Sequence, residues 1–542
     1  MRSIVFSLIL SILPVAAAKQ ALLSPHSTSS GKITPVETFL NTNVDDMITQ
    51  MTLKQKVGQL FIFGFTGKNI NVSLKRQLNT LYPGSIIVFG RNISSLKQIR
   101  RLNTEAQELA MKNTKVPLLI SVDQEGGMVL RIKTSPALPS ARTLALTGDE
   151  HLVQEAGYVT GQLLSTLGFN MNLAPVVDIS DEQQRDFLEN RAFGHQKEVV
   201  NQMSSAFSKG LVHAGILPTA KHFPGHGGVR TDSHLATPYK QITLTELLFN
   251  DLAPYKSMLS SQIPFAVMAS HISCPLIDPS RKPATFSKVL LEKVLRKDLG
   301  YDGIVLTDDI QMKGARVNQL SLGERAVQAI LAGNDIIMVG WNYNVQKQAV
   351  GAVLKAVKEG RISEERLNTS LRRILSYKQK FAPKMNYEPL VIKLKQISFA
   401  QIYDQIFDKV FSNQLPDPSV LGRKVEIYSY SWKFLSSYKK WANGRLLYLP
   451  KFKGWKNKKN VDTIVFHLSG PTSAKVLRTA PASIKKKIVV INSSSRDYIE
   501  NDDQFKKVVN VHSYHPSLGS FAAKHLAKTE YRQPTSSTTL SP

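Results

Sequence analysis

The chain has a single cysteine, Cys274, among its 542 residues, so no disulfide can form within it and its stability must rest on a packed core. A hydrophobic content of 42% and a charged content of 20% are ordinary for a globular protein. Acidic residues are scarce: 41 Asp and Glu stand against 69 Lys and Arg, a formal net charge of +28. An excess of this size favours anionic partners such as nucleic acid, acidic lipid or anionic glycan polymers, or else a solvated lysine-rich surface. Long apolar runs are missing after the N-terminus, so no later segment is expected to span a bilayer. The early run, Ile4 to Val15, is short for a span; Arg2 precedes it and Ala16-Ala17-Ala18 follow it. It reads as a signal peptide, residues 1–18, and the expected compartment is a periplasm or the exterior. No cysteine stands directly after the run to take a lipid anchor.

Residues 19–44, rich in Ser and Thr, are expected to form a flexible leader. From 45 to 381, apolar runs alternate with amphipathic helical patterns. The expected strands are Leu60 to Phe65, Ser85 to Phe89, Leu118 to Val122, Met171 to Val177, Leu217 to Lys221, Phe265 to Ala269, Gly303 to Leu306 and Asp335 to Val339. The expected helices include Ser95 to Met111, Leu152 to Leu167, Glu198 to His213, Leu247 to Leu259, Lys288 to Asp298 and a closing Glu364 to Lys380. Such repeated alternation argues for an α/β fold with a parallel sheet under covering helices, and eight strands suit a (β/α)8 barrel. Residues 382–415 break the pattern and read as a linker. Five shorter apolar runs between 416 and 529 predict a smaller α/β unit, and 530–542 a disordered tail.

Polar density peaks in one loop, Lys221-His222-Phe223-Pro224-Gly225-His226-Gly227-Gly228-Val229-Arg230-Thr231-Asp232-Ser233-His234, which follows a short apolar strand. The carboxyl end of a strand is where an α/β barrel keeps its chemistry. Two other strand ends carry carboxylates. One is Val122-Asp123-Gln124-Glu125-Gly126-Gly127, with Arg131 eight positions after Asp123; the other is Leu306-Thr307-Asp308-Asp309. Adjacent residues of a strand point to opposite faces, so only one of Asp308 and Asp309 can aim into a barrel mouth. The histidines and Asp232 are also metal-ligand types, but their spacing matches no helix-based zinc motif, and no metal or cofactor is expected. The Gly64-Phe65-Thr66-Gly67-Lys68 turn lacks the upstream glycine and the hydroxyl residue of a phosphate loop.

The long loop resembles the signature of the β-N-acetylglucosaminidases of glycoside hydrolase family 3, Lys-His-Phe-Pro-Gly-His-Gly followed by Asp-Ser-His. Asn190-Arg191-Ala192-Phe193-Gly194 resembles the family's Arg-Ser-Phe segment, and Thr307-Asp308-Asp309-Ile310-Gln311-Met312 its Ser-Asp-Asp-Leu-x-Met segment. The resemblance supports the barrel over a doubly wound sheet and implies Asp308 as nucleophile, with Asp309 structural. It implies a His234–Asp232 dyad as acid/base, a role imidazole suits because it titrates near neutrality. Were His234 not the proton donor, Glu125 would be the first carboxylate to test. Asp123, Arg131, Arg191, Lys221 and His222 are implied in sugar binding; where the family usually has Arg, this chain has Met128.

The implied activity is exo-hydrolysis of terminal β-linked N-acetylglucosamine, from peptidoglycan fragments or chito-oligosaccharides, with retention of configuration. The family's β-glucosidase and β-xylosidase branches lack the long loop. A different reading, a non-catalytic glycan-binding or wall-associated protein, draws on the second unit. There Lys433, Lys439, Lys440, Lys451, Lys453, Lys456, Lys458 and Lys459 interleave with Trp432, Trp441 and Trp455, a pattern suited to anionic polymer. No motif for specific nucleic-acid recognition appears.

Overall fold

The computed structural model describes residues 34–181, 188–229, 236–317 and 319–382, and beyond these 390, 392, 394, 397–415, 424–440, 444–452, 454–455, 458, 460–494, 498–499 and 502–526. The expected signal peptide, the tail 530–542 and the pair Asp232 and His234 lie outside the described residues, as does the leader up to residue 33. From Pro35 to Asn41 the remaining leader is helical, started by a capping box between Thr34 and Glu37.

Eight short parallel strands form the first sheet: β1 (Phe61–Phe63), β2 (Ser85–Val88), β3 (Leu119–Val122), β4 (Met171–Asn172), β5 (Leu217–Phe223), β6 (Ala266–Ala269), β7 (Val305–Thr307) and β8 (Ile337–Val339). They pair in sequence order, and β1 also pairs with β8. A parallel bridge between Leu306 and Ile336 brings β7 to β8 and nearly closes the ring. Every strand residue is buried, as expected of a parallel sheet covered by helices. This is the predicted (β/α)8 barrel with a separate α/β unit behind it. β4 is shorter than predicted because Pro175 has no N–H to give the ladder; the chain regains its neighbour at the Val176–Lys221 bridge.

The covering helices stop and start where local chemistry directs. Helix α1 (Leu96–Thr114) is capped by the Ser95 side chain and ends at Lys115, whose φ is 61°. The stretch from Leu247 to Leu259, expected as one helix, is two, Leu244–Phe249 and Ala253–Ser260. Asn250 leaves helical geometry, and Pro254 sits in the first turn of the second piece, where its missing N–H costs nothing. The predicted helix at Lys288 to Asp298 is wound as a π-helix, Val289–Asp298.

The span 382–415 contains a 16-residue helix, α3 (Phe399–Gln414). Its apolar side chains recur at helical spacing and divide between two cores. Tyr403 and Ile406 join the cluster formed by α1 and α2 (Glu150–Thr166), while Phe407 and Phe411 join the core of the second unit. That unit holds a five-stranded parallel sheet: β9 (Val425–Ser429), β10 (Arg445–Tyr448), β11 (Thr463–Leu468), β12 (Ile488–Asn492) and β13 (Lys507–Asn510). The spatial order is β10-β9-β11-β12-β13.

Candidate active site

Several barrel strands deliver polar residues where their apolar runs end, so the carboxyl edge of the sheet collects charge. After β3 the chain turns through a short hairpin, Gln124–Gly126 against Val129–Leu130. Buried Gln124 braces it: its side-chain oxygen accepts from the N–H groups of Arg131 and Ile132, and its amide donates to the Ile132 carbonyl. Gly126 (φ 100°) and Gly127 (φ 57°) have backbone conformations that L-residues rarely adopt, and a Cβ on Gly126 would run into the Pro139 carbonyl.

That brace sets Asp123, Glu125 and Arg131 against residues from β5 and the loop after β4. The Lys221 ammonium, 3% exposed, reaches Asp123 Oδ1 at 3.1 Å and Glu125 Oε1 at 2.7 Å. Arg191 closes a two-pronged pair on the same carboxylate, Nε to Oε2 at 2.8 Å and Nη2 to Oε1 at 2.9 Å. Arg131 stands 3.7 Å from the other oxygen of Asp123. Burial alone would raise the Glu125 carboxyl, but the charges of Arg191 and Lys221 outweigh it and hold the group well below the usual carboxylate range. Burial likewise disfavours the charged Lys221, and the two carboxylates overcome it, raising its pKa. The structure thus brings together Asp123, Arg131, Arg191 and Lys221 around Glu125.

His222 belongs to a neighbouring cluster. Its Nδ1 lies 2.7 Å from Asp178 Oδ2, and its backbone N–H donates to Oδ1 of the same carboxylate. The His226 N–H donates to Oδ1 as well, at 2.7 Å, which fastens the start of the long loop to the end of β4's segment. Asp178 is buried; burial would raise its pKa, but His222 and then His226 bring it down to about 2. With Nδ1 engaged, His222 keeps Nε2 for a ligand.

Asp308 ends β7, partly exposed, its N–H donating to the Ala269 carbonyl. Its Oδ1 accepts the N–H of Asp309 at 2.8 Å. Asp309 faces elsewhere: its carboxylate accepts the Gln311 N–H at 3.0 Å and lies where a Cβ on Gly340 would be. Burial pushes Asp309 up to about 6, against hydrogen bonds from the Gln311 and Gly340 backbone. Nearby, the Arg91 guanidinium is sandwiched 4.2 Å from the Phe89 ring centroid and 4.5 Å from that of Trp341. His271, after β6, bridges the Asp309 carbonyl and the Thr285 hydroxyl.

Sequence reasoning passed over Asp178, although Val176-Val177-Asp178 repeats the pattern of an apolar run ending on a carboxylate that exposed Asp123 and Asp308. It held Glu125 in reserve as an acid, and Glu125 is instead locked between two cations. In the second unit Trp455 is not a surface residue: it is buried, its indole N–H on the Thr479 hydroxyl, while Trp432 is exposed and stacked on Tyr448. Trp441 lies outside the described residues.

A near-closed (β/α)8 barrel with opposed carboxylates and cations at its carboxyl edge defines a barrel enzyme. Comparison narrows the class. Residues 52–377 match the glycosyl hydrolase family 3 N-terminal domain, and the chain belongs to that family and is a glycoside hydrolase. It is 36% identical over 288 residues to a β-hexosaminidase of Idiomarina loihiensis, an overlap of 52% of this chain and 84% of that one. With a β-hexosaminidase of Neisseria meningitidis it shares 38% over 273 residues, 49% of this chain and 73% of that one. A solved family 3 β-N-acetylglucosaminidase from Paenibacillus sp. superposes with a TM-score of 0.75 at 29% identity, covering 88% of this chain and 96% of that one. A β-N-acetylhexosaminidase from Beutenbergia cavernae, TM-score 0.56 at 27% identity, is matched over 99% of its length by 61% of this chain. Among the described residues no helix is long and apolar enough to cross a membrane.

Proposed function

We propose that this glycoside hydrolase is an exo-acting β-N-acetylglucosaminidase that releases terminal β-linked N-acetylglucosamine with retention, through a covalent glycosyl-enzyme on Asp308. The observation that carries the reading is the Asp123–Lys221–Glu125–Arg191 cluster: rigid, buried, charge-paired groups beside the mouth, of the kind that hold sugar hydroxyls. The names of the curated relatives support the N-acetylhexosaminide preference.

In the first step the Asp308 carboxylate forms a bond to the anomeric carbon, the glycosidic C–O bond breaks, and a proton passes to the leaving oxygen. In the second, water gives up a proton, attacks the anomeric carbon and frees Asp308. The proton carrier in both is His234, oriented by Asp232. Glu125 is a poor substitute, because its two cationic partners keep it ionised. Asp123, Arg131, Arg191, Lys221 and His222 bind the sugar. Substrates are peptidoglycan fragments or chito-oligosaccharides met outside the cytosol, in keeping with the signal peptide expected at residues 1–18. The second unit adds affinity for anionic wall polymer. Residues 424–460 carry ten Lys and Arg against one acid, Glu426, and the exposed Trp432 ring stacks on Tyr448 at 4.8 Å, a platform for a sugar face.

A panel of aryl β-glycosides tests the specificity: the N-acetylglucosaminide should be cleaved far faster than the glucoside or xyloside. A slow fluorinated glycoside should label Asp308, found by peptide mapping; label on Asp309 would overturn the assignment.

A further inference from the structure

The second unit touches the barrel at one point that bears on the sugar cluster. The backbone of Val511 and His512 and the side chain of Ser513, leaving the carboxyl end of β13, meet three buried barrel residues. Ser140 N–H donates to Ser513 Oγ at 2.8 Å, and Ser140 Oγ donates to the His512 carbonyl at 3.2 Å. Thr143 Oγ1 lies 2.7 Å from the Val511 carbonyl, and the Asn190 amide donates to the His512 carbonyl at 2.8 Å. Ser140 and Thr143 are 0% exposed and Asn190 3%, so water cannot replace these partners without rearrangement.

Both halves of the sugar cluster hang from these contacts. Asn190 immediately precedes Arg191. Gly127, two residues after Glu125, packs so closely that an added Cβ would meet Ser140 Cβ and approach Asn190 Nδ2 to 3.4 Å. The segment carrying Arg191 is therefore bonded to the His512 carbonyl through Asn190, and the segment carrying Glu125 packs through Gly127 on Ser140, which bonds to the same carbonyl. That carbonyl is aimed by an unusual backbone: His512 has φ 55°, held by its N–H on the Asn492 carbonyl at 3.1 Å. The solved Beutenbergia cavernae chain is matched over 99% of its length by 61% of this one.

We propose that the second unit is a positioning element of the active site: the Val511–Ser513 segment sets the register of Arg191 against Glu125, and through Glu125 the aim of Lys221. The inference rests on the reading of Arg191 and Lys221 as sugar-binding groups. Asn190 and Ser513 are then positioning residues that touch no substrate.

The test uses the full chain with Asn190→Leu and Ser513→Ala, measuring KM and kcat on an aryl β-N-acetylglucosaminide, affinity for free N-acetylglucosamine by calorimetry, and urea unfolding. Loss of one buried hydrogen bond is worth roughly a two- to tenfold change in an equilibrium. Asn190→Leu should raise KM and weaken sugar binding by about tenfold, and Ser513→Ala by about threefold, in samples fully folded by the urea curve. Ser513→Ala removes a single hydroxyl from the second unit and keeps the test open if Asn190→Leu fails to fold. Folded variants with wild-type KM and sugar affinity overturn the proposal, as do losses that merely track the unfolded fraction. A wild-type protein that neither binds the sugar nor cleaves the glycoside would instead overturn the functional reading.

Discussion

The two parallel sheets treat the polar residues at their carboxyl edges in opposite ways. At the barrel edge the groups are charged and sit in pairs that leave one side open: Asp123 is 15% exposed, Arg131 32%, and His222 has a ring nitrogen to offer. At the edge of the second sheet the groups are neutral and satisfy one another. His467, on β11, stands between Ser429 at the end of β9, 2.7 Å from Nδ1, and Ser493 after β12, 2.7 Å from Nε2. Its ring lies flat on Phe434, centroids 4.2 Å apart. Both nitrogens are used and the side chain is fully buried, so a serine–histidine pair that resembles a nucleophile and its base is a strut. Topology alone marks both edges as places for ligands. The difference is whether the polar groups have any capacity left after folding.

The sharpest way to break this contrast is to remove chemistry from the open edge. Asp308→Asn should lower kcat by about ten-thousand-fold or more, the scale for losing a nucleophile, with the fold intact; circular dichroism and turnover of an aryl glycoside measure both. Next in size is the charge cluster. Lys221→Met leaves Asp123 and Glu125 facing each other with one cation fewer, and breaking a buried pair this way costs about 3–5 kcal/mol. Urea unfolding should show that loss alongside weaker sugar binding.

Acid separates the two regions. Burial pushes His467 down to about 3, and the unfolded chain's ordinary histidine binds protons from about 6.5 downward. The unfolded state therefore binds more protons in that window, so stability supplied by neutral His467 is complete above about pH 6.5 and lost as pH falls towards 3. Asp178 works lower. Its pKa of about 2 lies under the ordinary value near 3.8, so its contribution, on the order of 2 kcal/mol, is present above about pH 4 and lost between 4 and 2. Urea unfolding across pH should show His467→Phe flattening the upper window and Asp178→Asn the lower. A flattened lower window in His467→Phe would contradict the assignment.

The barrel was legible because compact, largely apolar runs, from Phe61–Phe63 to Ile337–Val339, alternate with amphipathic helical patterns, and α/β alternation at that pitch has few solutions. Asp123 and Asp308 were visible as carboxylates on strand ends. Asp178 follows the same rule, directly after the expected strand Met171 to Val177, and was passed over although the signal was there. The partnership of Glu125 with Arg191 joins residues 66 apart in sequence, and no local pattern encodes it. Helix α3 was missed because its apolar stripe serves two cores at once, which blurs any division of the chain at a linker. Trp455 misled because composition cannot tell a buried indole with a hydroxyl partner from an exposed one.

The smallest effect is the most direct test of the closed edge. Ser429→Ala removes the hydroxyl beside His467 Nδ1 and leaves the Ser431 N–H without its 2.9 Å acceptor. A buried polar atom stripped of its partner costs about 1–3 kcal/mol, so the unfolding free energy should fall by that amount and lower the urea midpoint with it. Turnover should not change, because Ser429 lies on β9, separated from β13 and its barrel contact by β11 and β12. His467, no longer held on one side, should also become easier to protonate if water enters the vacated space, moving its acid-sensitive window upward. If Ser429→Ala instead cut kcat while leaving the unfolding midpoint in place, the serine and histidine would be working groups, and the second sheet would have to be counted as part of the active site.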